Sequence, residues 1–473
     1  MKRILTAITV ITILMLLAAC GKDNDNDDPI DLNDDSWMDE EVTLYYATWN
    51  LIPEDSDLFM GEKIEHLMIE EFERRYPNIN VEIIYVGNDL NWTSNFTAKI
   101  GAGEQIPDVF SVMDADVFIN SEVLYDFSAY WDADPDTDMI MDSIRDAGLY
   151  TKGDVTRRLV APGTLSPYAT FVFKTLADKH GVAMPSYDWD FDAYKAFATA
   201  VTNEPEGEWG LEVCNWEMIY PAIMNPSYNY WTWDGERFNF DDPLFLQGIQ
   251  AEKDAIAAGY CKGGWSSDAA ERAAEKAEYY GIPDLWPPAV GKIGIHVEPS
   301  WSMGWFGPQL IDNGVEYDIY PGPNGRTRSA LNVSGMSSIT EHPRQAYELM
   351  KWMTFSEDGL RYKYGVAWHD ERLATTASGW DFPGIISDRV WNALPYGTHP
   401  YGAPGWLSPE FIQSLNNGII FPQKAFVGFW ESHTVINTYL AEFETRNPAD
   451  LVVDMTNEAN QAVEDAWGTL NLR

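Results

Sequence analysis

Between residues 42 and 112 the apolar period changes from two to about 3.6 and back, twice over, and this alternation constrains the fold more than any other feature. Val42 to Trp49 reads as a strand, after which the chain turns through Pro53 and Asp55. From Glu62 to Tyr76, Ile64, Leu67, Met68 and Phe72 fall on one helical face, and Pro77-Asn78 ends the helix. Ile79 to Val86 reads as a second strand and Thr93 to Ile100 as a second helix. The run from Gly101 to Pro107 breaks that helix before a strand at Asp108 to Val112. A β-α-β-α-β order predicts a parallel sheet with helices on both faces.

A second α/β region follows. Leu159 to Phe173 is extended, Asp190 to Val201 is helical, and Pro243 to Ala258 carries Leu244, Ile249 and Ile256 at helical spacing. Lys292 to Val297 and Tyr317 to Tyr320 read as short strands, the latter leading into the stiff-then-flexible connector from Pro321 to Gly325. Helices are predicted over Pro343 to Thr354 and Ala449 to Trp467, and Trp231 with Trp233 reads as a packed strand. No repeat with a period of about 20–50 residues is present. At 473 residues, two or three domains are expected.

Charge narrows the partners. With 74 Asp and Glu against 31 Lys and Arg, the net charge is −43, which disfavours nucleic acid and an anionic bilayer surface. Twenty tryptophans are more than packing usually needs, so some are expected to face a ligand.

Lys2 and Arg3 precede an apolar run from Ile4 to Ala19, shorter than the roughly 20 residues a membrane span needs. This is the pattern of a secretory signal over residues 1–19. The sequence from Leu17 to Gly21 resembles a bacterial lipobox, which implies cleavage before Cys20 and a lipid on that residue. Removing Lys2 and Arg3 with the leader takes the net charge to −45. Residues 20–41, rich in Asp and Asn, read as a lipid-anchored acidic linker unable to order itself. Cys214 and Cys261 are left as either a disulfide or two buried thiols.

No motif for metal or nucleophilic chemistry stands out. The acidic runs lack the Gly and terminal Glu of a calcium loop: Asp132-Ala-Asp134-Pro-Asp136 has Thr137 and Ser143 at those places. There is no nucleophile elbow, zinc-protease helix motif or phosphate-binding loop. No metal, cofactor or catalytic residue is therefore expected. A glycoside hydrolase needs only two carboxylates about 5–10 Å apart with aromatic subsites. Glu298 and Glu431 are available as such a pair, but the pattern lacks eight β/α units. A cationic solute is a further alternative, because rings with carboxylates also form cation–π boxes.

Four segments carry a resemblance. They are Glu71 to Val81, Ile100 to Val109, Lys292 to Trp301, and Tyr320 to Gly359. Their motifs and order resemble the bacterial extracellular solute-binding proteins of the maltose-binding type, which feed ABC importers. Phe173-Lys174 and the Tyr187 to Phe191 element depart from that pattern at packing positions. The resemblance implies a two-lobed α/β fold of the periplasmic-binding-protein type, with mixed sheets flanked by helices and a cleft between lobes. Residues 42–165 with 322–357 would form the N-lobe, and 166–321 with 358–473 the C-lobe. It implies a monomeric lipoprotein on the outer face of the cell membrane, with a carbohydrate ligand, permease subunits as partners and no catalysis.

Candidate ligand residues follow from position. Trp49 and Asn50 end the first strand, and Asp114 and Asp116 follow the strand at Asp108 to Val112. Trp216 lies in an Asn-Trp-Glu segment expected at the cleft. Trp301, with Glu298 nearby, and Trp430, with Glu431 beside it, match sugar-stacking positions of maltose binders.

Overall fold

The computed structural model describes residues 31–472 except 33, 50–59, 88–90, 267, 283–284, 371–379, 422 and 444, together with the side chains at 60–63 and 217. The expected leader, Cys20, the linker up to residue 30 and Asn50 therefore lie outside the described residues.

The strands in chain order are β1 (Val42–Ala47), β2 (Ile79–Ile83), β3 (Val109–Ser111), β4 (Leu149–Lys152), β5 (Val155–Arg158), β6 (Ala161–Val172), β7 (Trp209–Leu211), β8 (Ile293–Pro299), β9 (Asp318–Tyr320), β10 (Arg328–Met336) and β11 (Ile419–Phe421). β4 and β5 form a separate hairpin. The rest make one sheet, ordered β2-β1-β3-β10-β6-β8-β7, with β11 added to β10 and β9 to β6. β1 is parallel to β2 and β3, as the alternation predicts, whereas β10 runs antiparallel to β3 and to β6. The sheet is therefore mixed.

β6 holds the two halves together. From Ala161 to Pro167 it pairs with β10, and from Tyr168 to Val172 it pairs with β8. The partner changes between Pro167 and Tyr168, where Pro has no N–H to give to a ladder.

The largest core cluster runs across both halves, taking in Phe171, Phe306 and Ile319 along with β1, and two smaller ones lie on the far side. On one side, Val42, Leu44 and Tyr46 of β1 pack with Phe72 and with the buried face of the helix Pro343–Thr354. That helix opens on Pro343, whose fixed φ suits a first helical position. On the other side, Trp189, Tyr194 and Phe197 pack with Trp216 and Ile223. A third cluster joins Trp231, Phe240 and Phe245 to the helices Phe429–Glu442 and Val452–Thr469.

Two expectations need correction. The last residues of the expected linker are ordered: Ser36–Asp39 forms a 3₁₀ turn with Trp37 buried, its ring 5.1 Å from that of Tyr76 and under the Arg344 guanidinium at 4.7 Å. One indole is enough apolar surface to order a short polar segment once a groove exists to receive it. The Trp231 segment is packed, but as a turn rather than a strand, with Trp231 at φ 56°. Cys214 and Cys261 are both buried thiols, not joined to each other. Among the described residues no helix is long and apolar enough to cross a membrane, and no group of three or more His, Cys, Asp or Glu is placed to hold a metal ion.

Candidate ligand-binding cleft

The predicted residues gather at strand ends, where open α/β sheets bind ligands. β3 ends at Ser111, and the helix Ala115–Asn120 begins four residues later, so Asp114 and Asp116 leave the sheet together. Asp114 accepts hydrogen bonds from the Thr93 hydroxyl at 2.9 Å and from the Trp430 indole N–H at 2.5 Å. The backbone N–H of Gly428 donates to Asp116 Oδ2 at 2.8 Å, while Asp116 Oδ1 is buried with no partner among the described residues. Burial pushes the Asp116 carboxyl up to about 6, with the Glu431 and Asp114 carboxylates adding to the shift and the Gly428 amide opposing it.

Gly428 caps the helix Phe429–Glu442 at φ 80°. A Cβ there would sit 3.0 Å from Val463 Cα, so glycine lets the helix start where its first amide meets Asp116. Trp430 is 50% exposed, its polar edge held by Asp114. Trp49 is half-buried beyond β1, edge-on to Trp92 at 6.2 Å, with the Lys424 ammonium 4.2 Å above its ring.

A second group surrounds β8. Trp301 lies in the turn Ser300–Ser302 directly after that strand, 44% exposed and edge-on to Tyr168 at 5.6 Å. Glu298 Oε2 lies 3.1 Å from His296 Nε2, and Glu212 Oε2 lies 3.5 Å from His296 Nδ1. Glu212 also accepts from the Trp265 indole at 3.0 Å; its burial pushes the carboxyl up, and His296 pulls it back.

Tyr168, Glu212, His296, Trp216 and Arg328 line a cavity of about 200 Å³. Trp216 is only 2% exposed and edge-on to Phe191 at 4.9 Å, so it presents little ring to a ligand and works as packing within the cavity wall. A shallower groove of about 580 Å³ lies near the start of β1 and β2, between Glu41 and Glu73. Among the described residues no aromatic ring lines it, and it sits at the opposite strand ends from Trp49 and Asp114.

Residues that sequence reasoning missed connect the two groups. Tyr168 lies under the Arg328 guanidinium at 4.0 Å, and Arg328 reaches toward Phe421 at 5.5 Å. Phe421 meets Phe429 at 5.3 Å, and Phe429 meets Trp430 at 5.2 Å. Trp301 and Trp430 are thus the two open ends of one band of rings. The only sequence signal for Tyr168 was its place after Pro167 in a strand, and Arg328 had none because β10 was not recognised.

A mixed sheet shared by two α/β halves, with half-exposed indoles and carboxylates along the strand ends between them, defines a solute-binding protein. The chain belongs to the bacterial extracellular solute-binding protein family, whose profile matches residues 61–359. No curated protein sequence matches it. Among solved structures it resembles a cyclic alpha-maltosyl-1,6-maltose binding protein from Arthrobacter globiformis, with TM-score 0.63 and 12% identity over 90% of this chain and 99% of that one. It also resembles an ABC substrate-binding protein of Listeria monocytogenes in complex with cycloalternan, with TM-score 0.55 and 16% identity over 91% of this chain and 98% of that one. A third is an ABC transporter solute-binding protein from Thermotoga lettingae bound with alpha-D-tagatose, with TM-score 0.57 and 14% identity over 90% of this chain and 100% of that one. At such identities the likeness is one of fold, and the two-lobed periplasmic-binding-protein-like architecture is common to all.

Proposed function

We propose that this protein captures a carbohydrate, specifically an oligosaccharide, between its lobes and presents it to the permease subunits of an ABC importer. It does so as a monomer, held on the outer face of the cell membrane by a lipid on Cys20. The observation that carries the reading is the band of rings ending in Trp301 and Trp430, each about half exposed in a chain that buries most of its aromatics. A sugar has an apolar C–H face for such rings and hydroxyls for Asp114, Asp116, Glu298 and Glu431. Each aromatic contact contributes about 0.5–1.5 kcal/mol beyond area burial. Two or three stacks with several charge-assisted hydrogen bonds approach the roughly −8 kcal/mol of micromolar binding. The cycloalternan and alpha-D-tagatose bound in the Listeria and Thermotoga structures, and the cyclic alpha-maltosyl-1,6-maltose for which the Arthrobacter protein is named, support the same ligand class.

The change of partners at Pro167–Tyr168 in β6 supports lobes of 42–165 with 322–357 and 166–321 with 358–473. Ligand then favours the closed form, which a permease can distinguish from the open one.

A thermal-shift screen of mono- and oligosaccharides, followed by calorimetry, tests the reading. Trp301→Ala and Trp430→Ala are expected to weaken binding about five- to hundred-fold each, by analogy with stacking on aromatics. Trp301→Phe should retain most of the affinity. Unchanged affinity in both alanine variants would remove the site, and release of reducing ends from an oligosaccharide would replace binding with hydrolysis. Cys20→Ala should abolish incorporation of labelled lipid and free the protein from membranes; continued labelling would overturn the anchor.

A further inference from the structure

We propose that the bound carbohydrate is acidic, and that Arg328 receives its carboxylate in the middle of the cleft. The inference rests on the carbohydrate reading above and specifies its ligand class.

Two arginines of this stretch line the same cavity, and they differ sharply. Arg326 is saturated by backbone carbonyls: it donates to Tyr228 at 2.8 Å, Asn417 at 2.9 Å and Gly418 at 3.3 Å, and also to Ala222. It is a structural tie. The Arg328 side chain makes no hydrogen bond or ion pair to any described residue, and its Nε is buried without an acceptor among them. What holds it is contact with rings, Tyr168 from β6 and Phe421 from β11, the strands on either side of β10. Stacking engages a guanidinium through its face and leaves the edge donors unspent. A buried donor without a partner destabilises the protein, and a ligand acceptor would recover that loss.

The surroundings make the omission informative. In a chain with 74 acidic residues, partners for an arginine are abundant. Yet the carboxylates on this side of the cleft turn away from it, Glu212 to Trp265 and His296, and Glu298 through one oxygen to His296. The place beside Arg328 is left for an acid the protein does not supply. A uronic acid fits it, because its carboxylate projects from the rim of a ring whose face is free to stack. Trp301 stands next to Tyr168, the ring under Arg328, so stacking and pairing are available to one saccharide. The two carboxylate oxygens match the guanidinium fork.

The test uses the purified full-length mature protein and matched oligosaccharides: oligogalacturonate, its methyl ester and the neutral galactose oligomer, with glucuronate/glucose and mannuronate/mannose sets alongside. For at least one set, calorimetry should show the acid binding about ten- to hundred-fold more tightly than its neutral counterpart, the scale of a hydrogen bond to a charged group. The methyl ester should bind like the neutral sugar. Arg328→Gln should bring the acid down to the level of the neutral sugar measured on the same variant, whereas Arg328→Lys should keep part of the preference. Equal binding of acid, ester and neutral sugar overturns the proposal, as does an acid preference that survives Arg328→Gln. If Arg328→Gln does not fold, the ester comparison on the unaltered protein decides alone. Binding of neutral sugars only removes the acidic ligand and leaves the carbohydrate reading standing; binding of no sugar removes both.

Discussion

Asp116 and Arg328 reach opposite solutions to the same problem of a charged group placed among apolar neighbours. At Asp116 burial outweighs the hydrogen bond from Gly428, and the carboxyl is pushed up to about 6 from the ordinary 3.8. The folded chain therefore holds this proton more tightly than the unfolded chain does. The resulting stabilisation is complete below about pH 4 and is lost as pH rises through about 6. Asp116→Asn, which stays neutral and can still accept from Gly428, is expected to stabilise the protein by about 1–2 kcal/mol near pH 8. That gain should shrink toward zero near pH 4 in thermal unfolding across the range, and a pH-independent gap would refute the account. The position of Asp116 after a strand was legible in the sequence; its titration was not, because it depends on Gly428 and Glu431, more than 300 residues away.

Elements with a clear period were easy to read, and those built of small residues were not. The helix Pro343–Thr354 has Pro at its first position and one apolar face, and its bounds coincide with the sequence expectation. β10 runs through the middle of the sheet as Arg-Ser-Ala-Leu-Asn-Val-Ser-Gly-Met, with neither clean alternation nor an apolar run. Its small residues answer close packing: a Cβ on Gly335 would lie 2.5 Å from a Leu124 methyl. The Ser36–Asp39 turn was obscured by its acidic surroundings, although Trp37 docks on Tyr76 and Arg344. Trp37→Ala should cost about 3–5 kcal/mol in chemical denaturation, the usual loss for a buried indole. A loss below about 0.5 kcal/mol, typical of surface sites, would return the turn to the linker.

Across the whole molecule, one strand shared by two halves predicts a hinge rather than two independent bodies. β6 changes partner at Pro167–Tyr168, so rotation there tilts β8 and β7 against β3 and β1 while most ladder bonds persist. Saturating a binding oligosaccharide should therefore reduce the radius of gyration measured by small-angle X-ray scattering, and the Trp430→Ala protein should need more ligand for the same change. An unchanged radius at saturation would exclude closure. The sequence by itself determined the α/β alternation, the family and the stretches in which exposed rings would be found, because periodicity and turn chemistry act over a few neighbouring residues. Only the tertiary structure decided that Trp301, Tyr168, Arg328, Phe421 and Trp430 form one band, and that Trp216 lies behind it. Those placements depend on strand order and register, which are settled by burying surfaces from distant parts of the chain together and leave no local mark in the order of amino acids.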